Sequence, residues 1–189
     1  MNVYFLVEGK RTERKVYPAW LGHLLPELRQ VAQPQDAVEN NYFIISGFGY
    51  PSMLHDHLPN AVADVNKFDR YSHLVVCLDA EELTINDRRT EVIEFSKQRR
   101  CRLLRAELLV IVQNRCLETW FLGNRKIVSR SPQNQALGRY LAFFDVTRDD
   151  PEQMGVYRAL SAMPVFTADT LKRFSPSAAS VTAKHALDT

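Results

Sequence analysis

The sequence predicts an α/β fold, a mostly parallel sheet flanked by helices, with a small helical C-terminal appendage. Three observations carry this. Short apolar runs rich in β-branched and aromatic residues recur at positions 2–7, 42–45, 73–78 and 104–112. The stretches between them place apolar residues at helical spacing. Two of the runs end in acids, Glu8-Gly9 and Asp79-Ala80-Glu81-Glu82, where a buried strand gives way to a helix. Strand and helix alternating in this way favour parallel strands joined by right-handed crossovers.

Residues 2–7 read as a strand buried on both faces, being short and apolar without alternation. From Thr12 the period changes. Val16, Trp20, Leu21, Leu24, Leu25 and Leu28 recur at helical spacing, with Thr12 as a capping residue and Glu13 in the electropositive first turn. Pro18 falls within the first part, a place for a bend or a delayed start. Residues 33–41 form a polar connector, 42–45 the second strand, and Ser46-Gly47-Phe48-Gly49 a turn. An amphipathic stretch follows over 52–68. The third strand is 73–78, the next helix 86–100 and the fourth strand 104–112. Residues 116–122 read as a short helix carrying Glu118, Trp120 and Phe121. Beyond Asn124 the chain is polar, and Pro132, Pro151, Pro164 and Pro176 divide it into short pieces. The domain reading is therefore 1–124 for the sheet domain and 125–189 for a helical extension packed on it.

The bulk numbers restrict function more than they specify it. With 189 residues and 46% apolar content the chain can bury a core of its own. Its 24 Lys and Arg against 22 Asp and Glu leave a net charge of +2, so nucleic-acid binding would depend on local clusters. Cys77, Cys101 and Cys116 form no Cys-x-x-Cys pair, which argues against a zinc ribbon or a disulfide framework and for a reduced, cytoplasmic setting. No basic leader precedes the first strand, and no apolar run approaches the ~20 residues of a membrane span. The expectation is no export and no membrane anchor.

Two parallel strands that both end in acids would bring those acids to the edge where α/β proteins bind ligands. Carboxylates converging there supply hard oxygen ligands for a divalent metal. Gly9 permits a sharp turn and a close backbone approach to a phosphate. Glu13, one helical turn later, is either a further metal ligand or a carboxylate serving the helix dipole.

A strand ending in Glu8-Gly9 with Thr12 and Glu13 beyond it, followed by a strand ending in Asp79-Ala80-Glu81, resembles the Toprim domain. That fold occurs in type IA and type II topoisomerases, bacterial primases and the overcoming-lysogenization-defect (OLD) family of nucleases. The resemblance covers about the first 120 residues and leaves the C-terminal part unassigned. The opening Phe5-Leu6-Val7-Glu8-Gly9 and the later stretch from Asn114 through Cys116-Leu117-Glu118-Thr119-Trp120 to Leu122 look most like small stand-alone Toprim-like proteins of phage-defence systems, often paired with an ATPase. The resemblance implies a magnesium-dependent nuclease, with manganese as an alternative ion and an ATPase protein as partner. Glu8 would act in proton transfer or metal binding, and Asp79 and Glu81 would hold the metal. Glu118 would be either a further ligand or an acid pairing an arginine. The commonest family form is Asp-x-Asp; Glu81 keeps the charge but carries its oxygens one methylene further out.

Lys10 and Arg11 lie closest in sequence to these acids and are the candidates for holding substrate phosphate, with Arg14 and Lys15 behind them. Lys97, Arg99, Arg100, Arg102 and Arg105 form a second basic cluster, which equally suits a helix C-terminus or a solvated face. His55-Asp56-His57 has the spacing of a transition-metal pair on extended chain, but no Cys or further His lies nearby, favouring an exposed helix or loop. Trp20 fits a core position better than a base-stacking one. No P-loop is present, so ATP dependence would have to come from a partner. The expected partners are nucleic acid, DNA or RNA, and the ATPase; a homo-oligomer is equally compatible. The rival readings are a non-catalytic Toprim-like subunit that binds nucleic acid or protein and, more distantly, a phosphoacceptor receiver using Asp79.

Overall fold

Asn2–Val7, a run of β-favouring side chains, forms β1 and is buried at every position. Such a strand needs a neighbour on each side and a layer on each face, and the computed structural model, which describes residues 1–117, 135–145, 148–150 and 153–155, provides them. Four further strands complete one parallel sheet: β2 (Arg29–Gln30), β3 (Asn41–Ser46), β4 (His73–Asp79) and β5 (Glu107–Gln113), in the order β2-β3-β1-β4-β5. β1 pairs with β3 from Asn2↔Asn41 to Val7↔Ser46 and with β4 from Val3↔His73 to Val7↔Cys77. The helices are α1 (Glu13–Leu24), α2 (Leu58–Phe68), α3 (Ile85–Gln98) and α4 (Gln135–Phe143). The expected α/β class is what the chain adopts.

By backbone contacts the chain divides into two units, Met1–Leu78 with Asn86–Val112, and Asp79–Ile85 with Gln113–Thr189. In the first, alternate side chains of β1 serve different layers. Val3, Phe5 and Val7 pack with Tyr42, Ile44, Val75 and Cys77 beneath Tyr17, Leu21 and the half-buried Trp20 of α1. Tyr4 points the other way, its hydroxyl donating to Asp64 of α2 at 3.0 Å and its ring meeting Phe43 and Tyr71 edge-on. Leu58, Ala61, Val62 and Val65 form the buried stripe of α2, the 3.6-residue period that lets a helix cover a sheet.

The described part of the second unit is stitched by backbone bonds between the segments that follow β4 and β5. Ala80 N–H donates to Gln113 O (2.9 Å) and Glu81 N–H to Arg115 O (2.8 Å). Asn114 and Arg115 side chains donate to Met154 O. Ala80, Cys116, Leu117 and Met154 are buried.

Several sequence expectations need correction. Thr12 occupies the position before α1 but makes no side-chain cap bond, because its backbone is already helical (φ −64°, ψ −56°) and a cap hydroxyl reaches the next N–H groups only from extended backbone. Pro18 neither delays nor ends the helix, which starts at Glu13 and runs through it. Leu24 and Leu25 are exposed: α1 ends at Leu24, so the apolar stripe loses its helical phase there and resumes only at buried Leu28. The fourth strand begins at Glu107, not 104, since residues 102–104 are taken up by Asn66, whose amide donates to Arg102 O and whose carbonyl accepts Leu104 N–H. β2 was not expected, and two residues carry too little pattern to announce a strand. Glu118, Trp120 and Phe121 lie outside the described residues, as does most of the extension.

Candidate functional site

The order of strands decides where a ligand site can form. From β1 the chain goes to the sheet edge at β2 and steps back in to β3; it then crosses β1 to reach β4 and continues outward the other way to β5. Between β1 and β4 the winding reverses, the place in the strand order at which open α/β sheets in general bind ligands. Glu8 is the residue after β1, its N–H donating to Cys77 O of β4 at 3.1 Å, and Asp79 is the last residue of β4. The acids singled out in the sequence thus follow or end the two strands at the reversal.

Each acid also has a local role. Asp79 Oδ1 accepts Leu117 N–H at 3.0 Å, fixing the segment after β5. Glu81 stands at φ +54°, with Arg115 Nη1 donating to its carbonyl at 2.8 Å in addition to the backbone bond already described. Glu13 turns back so that Oε1 accepts Gly9 N–H at 2.8 Å. A Cβ at Gly9 would come within 2.1–2.5 Å of the Glu13 carboxylate, so glycine is what allows that approach. Of the two readings of Glu13, the local one has a visible bond. Lys10 and Arg11 are exposed, and Lys10 Nζ lies 4.5 Å from the centre of the Phe48 ring.

Among the described residues no group of three or more His, Cys, Asp or Glu is placed to hold a metal ion. This bears on His55 and His57 as well: both lie in a wide turn, Met53–His57, where His57 stacks on Phe48 and His55 meets Phe95 edge-on. The second basic cluster is largely engaged, with Lys97 on Glu94 (2.8 Å), Arg105 on Asp69 (2.6 Å) and Arg99 over Phe95. It follows the end of α3 and precedes β5, at the opposite edge of the sheet from Glu8.

The sequence marks Ser46-Gly47-Phe48-Gly49 as a turn but does not show that it docks beside Glu8. Gly47 N–H donates to Val7 O (2.7 Å) and Gly49 N–H to Glu8 O (2.9 Å), docking residues 47–49 directly on the end of β1. Gly47 has no room for a side chain: a Cβ would meet Met53 at 2.5–2.9 Å, backbone included. Phe48 between them is at φ +62° and 55% exposed. Positive φ also recurs at Arg115, two residues beyond β5. Bulky residues at Phe48, Glu81 and Arg115 hold backbone that ordinarily goes to Gly or Asn, as does Arg100 after α3, so positive φ does not by itself mark the site. The available signal was an aromatic between two glycines at a strand end.

No family model, curated protein or solved structure matches the chain. No helix among the described residues is long and apolar enough to cross a membrane.

Proposed function

We propose that the chain is a Toprim-type, magnesium-dependent nuclease acting on nucleic-acid phosphodiesters, working as the effector of a defence system with an ATPase partner. The observation that supports this reading is the strand reversal between β1 and β4, with Glu8 after one strand and Asp79 ending the other. Hard carboxylate oxygens suit magnesium, which commonly takes only one or two protein carboxylates and completes its shell with water and substrate phosphate. The lack of a three-ligand group among the described residues is compatible with that habit. In this reading Asp79 and Glu81 hold the ion, Glu8 assists it or moves a proton, and Lys10 or Arg11 steadies the phosphate. Bound magnesium would supply charge stabilisation at the phosphoryl group and an activated water. The ATPase partner rests on the resemblance alone.

A non-catalytic subunit is the second reading, favoured by the bonds that give Asp79 and Glu13 structural work. The deciding experiment is cleavage of mixed DNA and total RNA in magnesium, manganese or EDTA, for wild type, Glu8→Gln and Asp79→Asn. Asn at 79 keeps an oxygen for Leu117 N–H, so loss of activity there reports the charge and not the loop. The expected result is metal-dependent cutting that falls at least about a hundredfold in both variants, since even the outer-shell partners of a metal are worth 10–100-fold. Absence of cutting by wild type with its ATPase partner present would replace the nuclease with the binding subunit.

A further inference from the structure

The loop after β3 and its neighbours carry a row of aromatic rings coupled to cations, all within the first unit. Phe48 comes first, with Lys10 Nζ 4.5 Å from its centroid and the His57 ring stacked on it at 5.1 Å and 22°. Tyr50 is next, 39% exposed, with the Arg88 guanidinium 4.3 Å from its centroid and its hydroxyl on Glu91. Arg88 is itself buried and donates to Glu91 at 2.7 Å, so the acid beside the row is neutralised in place. Phe95, one turn of α3 beyond Glu91, meets His55 edge-on.

Leaving a phenylalanine half in water forgoes burial free energy, and holding it at positive φ adds strain. A glycine or asparagine at position 48 would avoid both. The backbone that carries the ring is nevertheless fixed from several sides, and the ring itself lies against His57. Ser46 Oγ accepts the Phe48 N–H at 3.0 Å, the flanking glycines bond to Val7 and Glu8, and Met53 N–H donates to Gly49 O at 2.9 Å. An exposed aromatic held this rigidly loses little freedom when something stacks on it, which is what a stacking surface requires.

The geometry points to a binding surface for single-stranded nucleic acid, in which an unpaired base stacks on Phe48 in place of the Lys10 ammonium and the lysine moves to the adjoining phosphate. Tyr50 is the second platform. Rings that offer a π-face to any base, interleaved with cations, suit a single strand; the bases of a duplex are already stacked and cannot reach them. Charge agrees, since Lys10 is followed by exposed Arg11, Arg14 and Lys15. This inference rests on the nuclease reading for its purpose and narrows the substrate to unpaired strands, since the docked loop touches the backbone of Glu8 itself.

The test is fluorescence anisotropy in EDTA, without divalent metal, using labelled oligodeoxyuridylate, oligouridylate and a DNA duplex of about twelve nucleotides, within the span such surfaces cover. Wild type should bind the single strands more tightly than the duplex; a preference between the two identifies the sugar. Phe48→Ala should weaken single-strand binding about tenfold, and Phe48→Trp should retain it within about twofold. Lys10→Ala should lower the slope of log affinity against log salt by about one. Phe48→Ala binding like wild type, or wild type binding duplex as well as single strands, would overturn the platform. Because no metal is present, the two readings fail separately: Phe48-dependent binding without magnesium-dependent cutting removes the nuclease and keeps the platform. Cutting with Phe48→Ala unaltered in binding removes the platform alone.

Discussion

At the scale of single residues, burial divides the three cysteines. Cys77 faces the core between β1 and α1, and burial pushes its thiol up to about 12, with a hydrogen bond from Tyr17 opposing the shift only partly. Cys116 is also buried, while Cys101 is partly exposed, its thiol raised more modestly by burial with Arg99 opposing. Only the thiolate attacks disulfide reagents. At pH 8 the folded protein should therefore show one fast thiol, mapped to Cys101 by mass spectrometry, with Cys77 modified only as the protein unfolds. Rapid labelling of Cys77 in the folded state would contradict its burial. The spacing of the cysteines excluded a metal pair but could not reveal this ranking, because exposure depends on partners far away in sequence.

Among elements, the junction of β1 and α1 is the most informative. Glu13 belongs to the helix but spends a carboxylate oxygen on Gly9 N–H, tying the first turn to the loop before it. Replacing it with alanine leaves the part-buried Gly9 N–H without its acceptor and should cost about 1–2 kcal/mol, whereas glutamine, which keeps an oxygen, should cost less. Urea midpoints measure both; equal losses would show that charge and not the bond matters. The helix itself was legible, as were four of the five strands, because period and β-branched content extend over whole elements. Glu8 and Asp79 were legible for the same reason, since each lies at the end of an unmistakable strand. What escaped was local. Thr12 gives no cap bond because its φ and ψ, which decide the matter, are not written in its identity. Phe48 escaped because left-handed backbone is normally announced by glycine, and here the glycines stand on either side of it.

For the sheet unit as a whole, buried tyrosines set an upper limit of pH. Burial, with Asp64 and Asp36 adding repulsion, pushes Tyr71 up to about 12, and Tyr4 is raised further by burial and by Asp64, which accepts its hydroxyl proton. The folded state thus holds these protons more tightly than the unfolded chain, whose tyrosines titrate near 10. Stability from this source is complete below pH 10 and is lost as pH rises from there toward 12. Chemical-denaturation midpoints should begin to fall once pH passes the ordinary thiol range at about 8.5, because the buried Cys77 holds its proton to about 12, and should fall more steeply above about pH 10 as the tyrosines add their share; a decline beginning near neutrality would indicate another group. The strand order has a last consequence, one of timing. Val3 is the partner of both Tyr42 and His73, so the strand at the middle of the sheet precedes both of its neighbours and gains the second only with β4. Until β4 has left the ribosome, a strand buried at every position in the finished sheet has an open edge, and closing it waits on long-range pairing. A chain released before His73 would carry a β1 open on one side, the segment through which an unfinished copy of this protein would be caught by chaperones or by other unfinished copies.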